Sequence, residues 1–369
     1  MSIVHREPIT DRSAWTGADL LAASASGAAG ARSWEVTLDD AGRAELADAL
    51  ARVTAAGLPL SRIDRRAFAL PGLAATLAAV RDELRTGRGF VLLRGFPVDG
   101  YDFESIEKLY WGLCSHLGVG MTQNSDASLI HYVTDGALRP NQGKRGVGSP
   151  LRSSLHVDLT DVVSLLCVRQ APDNPPSWVA SSTEIHNRIL ARHPEALEAF
   201  YRGFEWDRLE EHGEGETPTT GYRVPVFSSA DGHVSCRYNR YWMASALKRR
   251  HGEVPAEAQA LFDLFDATAD EIRLEVDFQP GDVQFVNNYT VLHGRAAHDE
   301  IPEEARKRVL MRIWLDFEGQ ARPMSDEAVV RYGIVRHGAL GWTVDQLNNG
   351  AHRGRHTRRS DGRPVVAAG

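Results

Sequence analysis

Leu155–Val168 reads LHVDLTDVVSLLCV, and the character of the chain turns on it. His156 and Asp158 lie two positions apart, so on an extended backbone they project to the same side. Asp161–Val168 is a strand-like apolar run. Upstream, residues 38–56, 72–87 and 103–117 have helical spacing, and Pro71 and Gly87 punctuate the second of these. Between the last two, Gly89–Phe96 (GFVLLRGF) reads as a buried strand. Residues 120–154, rich in Gly, Asn, Ser and Arg, read as a long loop of the kind that often carries function. Downstream, 182–202 is helical with an interruption at Pro194, and 255–270 is helical again. Tyr222–Phe227 and His233–Tyr238 read as strands joined at Asp231-Gly232, a hairpin signal. Glu271–Phe278, Val283–Leu292 and Arg308–Phe317 complete the strands. Helices come mainly first and short strands follow, without a βαβα alternation or an internal repeat. That excludes a doubly wound sheet and predicts an α+β fold: a double-stranded β-helix, or jelly-roll, core with flanking helices.

Composition bounds the function. The 369 residues are 43% hydrophobic and 25% charged, ordinary globular values that allow a sizeable core. A formal net charge of −7 offers no basic surface for nucleic acid. Cys114, Cys167 and Cys236 are scattered and odd in number, which argues against a disulfide framework and for a reducing cytoplasm. The N-terminus lacks the pattern of a secretory signal, and no apolar run is long enough to span a membrane. Neither a nucleic-acid nor a membrane partner is expected; a small-molecule substrate is.

His156 and Asp158 are answered far downstream by His293, at the end of the strand VQFVNNYTVLHG. Two histidines and one carboxylate capping a metal, with open positions opposite, form the facial triad of non-haem Fe(II) chemistry. Taken singly, His-x-Asp also fits a surface histidine beside a turn, and His293 a satisfied strand-end histidine. Asp158 and His293 are 135 residues apart, as ligands brought together by a fold would be, and no Cys-rich zinc spacing is present. Arg308 and Arg312 stand four apart in RVLMRIWLDF, on one face of a strand otherwise apolar. Buried guanidiniums need anions. Arg308 suits a dicarboxylate held by two parallel hydrogen bonds; Arg312 suits either an acidic substrate group or an internal ion pair. Arg295 could reach the pocket or form an ion pair, and the tryptophans, Trp314 among them, are by default core packing.

With these residues in view, the chain resembles the taurine dioxygenase and clavaminate synthase-like branch of the Fe(II)/2-oxoglutarate-dependent oxygenases. The likeness spans most of residues 85–318. It is carried, in order, by GRGFVLLRGFPVD, by QNSDASLIHYVTD with RSSLHVDLTDVVSLLCVRQA, by PSWVASSTEIHNRILARHPEAL, by VPVFSSADGHVSCRYNR, by GDVQFVNNYTVLHGR and by RVLMRIWLDF. It implies Fe(II) on His156, Asp158 and His293, and 2-oxoglutarate as co-substrate on Arg308, with O2 as oxidant. It also implies a Ser177 hydroxyl assisting the co-substrate carboxylate, and Arg312 and Asn239 on the substrate side with the 120–154 loop. Composition adds an expected loosely ordered arm over 1–35 and a basic flexible tail over 351–369, around one oxygenase domain over 36–350. Two departures stand out: Pro175-Pro176 precedes Ser177 where many relatives have Gly-Gly, and His293 is fifteen residues from Arg308, longer than in some members. Asp158 is present, so no ligand position is vacant for a halide. The expected reaction is hydroxylation, desaturation or cyclisation of a small carboxylate- or amino-acid-like molecule, releasing succinate and CO2. Two rivals predict otherwise: a metal-dependent hydrolase would need zinc and no 2-oxoglutarate, and a cupin-like binding protein would form no succinate.

Overall fold

The computed structural model describes residues 3–26, 34–124, 127–135, 148–210 and 217–317, with shorter pieces between and beyond them. Helices α1 (Gly17–Ala25), α2 (Asp40–Ala55), α3 (Ala74–Thr86) and α4 (Phe103–Cys114) come first, interrupted by short strands. Local chemistry starts several of them: Asp39 accepts from the Gly42 N–H ahead of α2, and Asp102 from the Ser105 N–H ahead of α4. Later come α5 (Ser182–Arg192), α6 (Ala196–Arg202), α7 (Arg240–His251) and α8 (Ala256–Ile272). The break between α5 and α6 falls at Pro194, as expected. Helix α7 was not expected; it starts at Asn239, whose side chain accepts from the Trp242 N–H.

The strands form two main sheets. In chain order they are β1 (Glu35–Thr37), β2 (Phe90–Arg94), β3 (Val119–Met121), β4 (His131–Val133), β5 (Ser153–His156), β6 (Val162–Arg169) and β7 (Ser177–Ser181). Then follow β8 (Phe227–Ala230), β9 (His233–Cys236), β10 (Leu274–Val276), β11 (Val283–Asn287), β12 (Val291–Arg295) and β13 (Val309–Asp316). The large sheet has the order β1-β2-β11-β6-β13-β3, with β4 also paired to β13. The small sheet has the order β10-β7-β12-β5. Strands β8 and β9 are a separate hairpin turning at Asp231-Gly232. This is the jelly-roll architecture, open rather than a closed barrel, with the helices packed outside.

Three expectations change. Val283–Leu292 is not one strand: β11 lies in the large sheet and β12 in the small one, with a corner at 288–290 between them. The corner residues are buried, and Asn287, the last residue of β11, braces them: its Oδ1 accepts from the Tyr289 N–H at 2.9 Å, and its Nδ2 donates to the distant Leu84 carbonyl at 3.0 Å. Residues 120–154 are not simply loop, because β3 and β4 pair with β13; residues 125–126 and 136–147 lie outside the described residues. Nor are residues 3–26 a loose arm. Ile9, Trp15 and Leu20 are buried in the common core, the Trp15 Nε1–H donates to the Arg88 carbonyl at 2.9 Å, and Arg12 pairs with Glu83 at 2.6 Å. The basic tail 351–369 falls largely outside the described residues; within it the backbone of His356–Arg358 pairs with Pro364–Val366.

The docked N-terminal segment should therefore contribute to stability. Trp15→Ala is expected to cost about 3–5 kcal/mol, the usual range for deleting a buried large aromatic. Urea unfolding would read this as a lowered midpoint, and an unchanged midpoint would mean that the segment is not part of the cooperative core.

Candidate metal centre

The triad forms where the chain passes between the sheets. His156 ends β5 and His293 lies directly opposite it on β12, with ring centroids 4.5 Å apart. Asp158 sits in the crossing from β5 to β6. Among the described residues, His156, Asp158 and His293 form the one group whose ligand atoms all lie within 4.8 Å of one another. The ring of His156 is oriented by its Nδ1, 2.7 Å from the Ser154 carbonyl. A carbonyl only accepts, so Nδ1 carries the proton and Nε2 keeps a lone pair for a metal. His293 is buried, and its Nδ1 has no hydrogen-bond partner among the described residues. Burial, with His156 alongside, pushes its imidazole down to about 3, so it stays neutral as a ligand must.

Asp158 is divided between two tasks. Its Oδ2 accepts from Arg312 Nη1 at 3.1 Å and from the Trp314 indole N–H at 2.9 Å. Its Oδ1 lies on the side of His156 Nε2, 4.0 Å away. Burial raises the carboxyl, but Arg312 and the two histidines outweigh that and hold it well below the usual carboxylate range. Arg312 is itself fixed by Gln123, whose Oε1 accepts from Nε at 2.8 Å. Arg312 is thus, in this structure, a buried ion-pair partner. Trp314 contributes a polar contact as well as core packing.

Arg308 is buried just ahead of β13. Its Nε donates to Gln170 Oε1 at 2.8 Å, and no carboxylate lies within ion-pair distance of it among the described residues. Burial, reinforced by nearby Arg295, depresses its guanidinium to about 10. Asp173, beyond ion-pair distance, offsets only part of that cost, so the guanidinium could take a further carboxylate. Among the described residues Arg295 forms no ion pair either: it donates to the Ser149 and Leu151 carbonyls at 2.6 and 2.9 Å. Ser177 opens β7, opposite Arg295 in register, and so shares its face of the small sheet. Asn239 adjoins Tyr238, whose carbonyl accepts from the Val157 N–H at 2.9 Å, but its own side chain caps α7.

Residues 56–314 match the model of the taurine catabolism dioxygenase TauD, TfdA family. The chain belongs to that family. A TauD/TfdA protein of this kind is an Fe(II)- and 2-oxoglutarate-dependent dioxygenase with O2 as the third reactant, which sets aside the hydrolase and the non-enzymatic binding protein. Two relatives match along most of its length. FR-33289 synthase of Streptomyces rubellomurinus is 29% identical over 338 residues, covering 90% of this chain and 97% of the relative. The taurine hydroxylase-like protein SAT17 of Stachybotrys chartarum is 24% identical over 317 residues, covering 83% and 79%. Among solved structures, an asparagine oxygenase bound to Fe(II), 3-hydroxyasparagine and succinate superposes with a TM-score of 0.58 at 18% identity, covering 76% of this chain and 93% of that one. The non-haem iron oxygenase OrfP with Fe and α-ketoglutaric acid gives 0.57 at 20% identity, covering 76% and 94%.

The residues that sequence reasoning missed in this TauD/TfdA chain are the partners of Asp158 and of the two arginines: Asn288 and the Trp314 N–H for the first, Gln123 and Gln170 for Arg312 and Arg308. Asn288 Oδ1 accepts from the Asp158 N–H at 2.9 Å. The available signal was compositional, since buried amides in otherwise apolar surroundings need polar partners. No helix among the described residues is long and apolar enough to cross a membrane.

Removing Arg312 would leave Asp158 buried with its main charge partner gone. Arg312→Ala is expected to destabilise the metal-free protein by about 3–5 kcal/mol, the usual consequence of breaking a buried pair from one side. Folding depresses the Asp158 carboxyl, so the pair stabilises fully above the unfolded value near pH 4 and weakens as pH falls through the folded value. Denaturant melts of wild type and variant at several pH values should show a gap that is full at neutral pH and narrows below about pH 4. Equal stability at neutral pH would mean that the pair contributes nothing.

Proposed function

We propose that His156, Asp158 and His293 hold the Fe(II), that Arg308 anchors the far carboxylate of 2-oxoglutarate, and that the enzyme hydroxylates a small amino-acid-like or otherwise carboxylated substrate. One juxtaposition carries the reading. Three mutually close ligand atoms lie between the sheets, and a buried guanidinium with no carboxylate in ion-pair distance among the described residues stands within electrostatic reach of Arg295, two residues from His293. Fe(II) with 2-oxoglutarate and O2 supplies the oxidising power to break an unactivated C–H bond, with succinate and CO2 released.

The protein's share is geometry and exclusion of water. Arg308 offers a planar fork that fixes one end of the co-substrate, so the other end can reach the metal position in one orientation. Ser177, on the face shared with Arg295, is proposed to assist that carboxylate. Arg312 and Trp314 hold one oxygen of Asp158 and leave the other toward His156. Burial of Asp158 and His293 keeps bulk water from the reacting atoms. Arg312 and Asn239 are assigned to the substrate side, Arg312 contributing positive charge while it braces Asp158. The solved relatives support an amino-acid-like substrate: asparagine oxygenase carries 3-hydroxyasparagine and OrfP carries L-Arg. Hydrogen removal from a differently posed substrate would lead to desaturation or cyclisation instead. Three unpaired, buried cysteines suit a reducing cytoplasm, where we place the enzyme.

A metabolite screen with Fe(II) and 2-oxoglutarate should reveal substrate-dependent succinate, and mass spectrometry a product heavier by one oxygen or lighter by two hydrogens. Arg308→Ala should weaken 2-oxoglutarate binding by on the order of 1.5–3 kcal/mol, the value of a hydrogen bond to a charged group. That is roughly ten- to over a hundredfold in affinity. Arg308→Lys should recover only part of it, because an ammonium does not reproduce the fork. Calorimetric titration decides, and unchanged affinity in Arg308→Ala would remove the anchor.

A further inference from the structure

We infer that Gly294 is a positioning residue for His156: it admits a bulge in β5 whose Ser154 carbonyl sets the imidazole. The inference rests on the metal reading of His156 given above. On β12, His293 pairs with His156 and Arg295 with Ser153. One residue, Gly294, separates the first members of these pairs, and two, Ser154 and Leu155, separate the second. Strand β5 therefore carries one extra residue opposite Gly294, and neither Ser154 nor Leu155 has a ladder partner on β12. Bulges of this kind re-aim a side chain and are common beside active sites.

The bulge needs room that only glycine leaves. A Cβ on residue 294 would lie 2.7 Å from the Ser153 carbonyl oxygen, 3.1 Å from the Leu155 nitrogen and 3.2 Å from the Ser154 carbonyl carbon. All three are backbone atoms, which cannot rotate away as the end of a side chain can. Gly294 has no positive φ, so space is the whole constraint. The carbonyl at the bulge is the acceptor for His156 Nδ1–H. That bond chooses the tautomer with its lone pair on Nε2, on the side of Asp158 Oδ1. Arg295, next in sequence, holds the approach to the bulge through the Ser149 and Leu151 carbonyls, and Arg152 holds it from the other side through both oxygens of Asp270. His293-Gly294-Arg295 is then one ligand, one space and one clamp.

The test compares wild type, His156→Ala, Gly294→Ala and Ser154→Gly by anaerobic Fe(II) titration, Co(II) absorption spectra and thermal melting. Nitrogen-15 NMR of the metal-free wild type reads the His156 tautomer. His156 should be protonated on Nδ1. Gly294→Ala should lose roughly ten- to a hundredfold in Fe(II) affinity, the usual effect of disturbing a ligand's outer partner, with an altered Co(II) spectrum. Ser154→Gly, at an exposed side chain, should melt like wild type but bind Fe(II) more weakly, because the carbonyl is less firmly held. Full affinity in His156→Ala would dispose of the metal reading itself. Loss in His156→Ala alongside wild-type affinity and spectra in the other two would overturn only the positioning role. Should Gly294→Ala not fold, Ser154→Gly and the tautomer decide: wild-type affinity, or a proton on Nε2, overturns the inference.

Discussion

Two crossings of the chain between its sheets brace one another, and the site depends on that contact. The first, from β5 to β6, carries Asp158; the second, from β11 to β12, carries Asn288. Asn288 Oδ1 accepts from the Asp158 N–H, the Asn288 N–H donates to the Asp161 carbonyl at 2.9 Å, and the Tyr289 hydroxyl donates to Asp161 Oδ1 at 2.8 Å. Crossings have no ladder partners, so their backbone groups must find acceptors elsewhere or be buried unsatisfied. Here each crossing satisfies the other. As a result His156, on one side of the first crossing, and His293, just beyond the second, enter the same gap with the carboxylate between them.

Charge is distributed in the gap so that one partner set is complete and another is not. Asp158 has Arg312, Trp314 and the two imidazoles around it, enough to outweigh the cost of burying a carboxylate. Arg308 has an amide, a neighbouring cation in Arg295 that adds to its cost, and Asp173, beyond ion-pair distance, that offsets part of it. A folded protein keeps such a group only where a ligand offsets the cost or the rest of the core holds it. The same asymmetry separates Arg308 and Arg312. Four residues apart, one just ahead of β13 and one within it, they meet different partners because β6 shifts register against β13 between Val309 and Leu310, and because Asp158 lies at one end of β6 and Gln170 just past the other.

Much of this was legible in the linear order of residues. Helices announced themselves through apolar spacing and through Pro71, Gly87 and Pro194, whose effects act within one turn. The triad and Arg308 were legible because they are chemically unusual in apolar strands. The errors were of another kind. The run 283–292 has apolar residues in both of its strands, and periodicity cannot say that its two halves belong to different sheets. Residues 3–26 carry few strong apolar signals, yet Trp15 is anchored by a single indole hydrogen bond to the Arg88 carbonyl, a contact across 73 positions. Strands β3 and β4 are three residues each and exist because β13 offers an edge to pair with.

The amino-acid sequence by itself determined which residues could bear chemistry: two imidazoles, one carboxylate and a buried guanidinium, in an order and spacing that admit a jelly roll. It determined also that His-Gly-Arg closes a strand, but not why glycine stands there. Tertiary structure alone decided what each group touches. It placed Arg312 on Asp158, gave Arg295 the Ser149 and Leu151 carbonyls as partners, and set a bulge across from Gly294 that turns His156 toward its partners. The physical reason is range. Propensity and capping act over a few residues and are written locally, whereas the partner of a buried polar group is chosen by register between strands distant in sequence, and a shift of one residue there redirects every side chain.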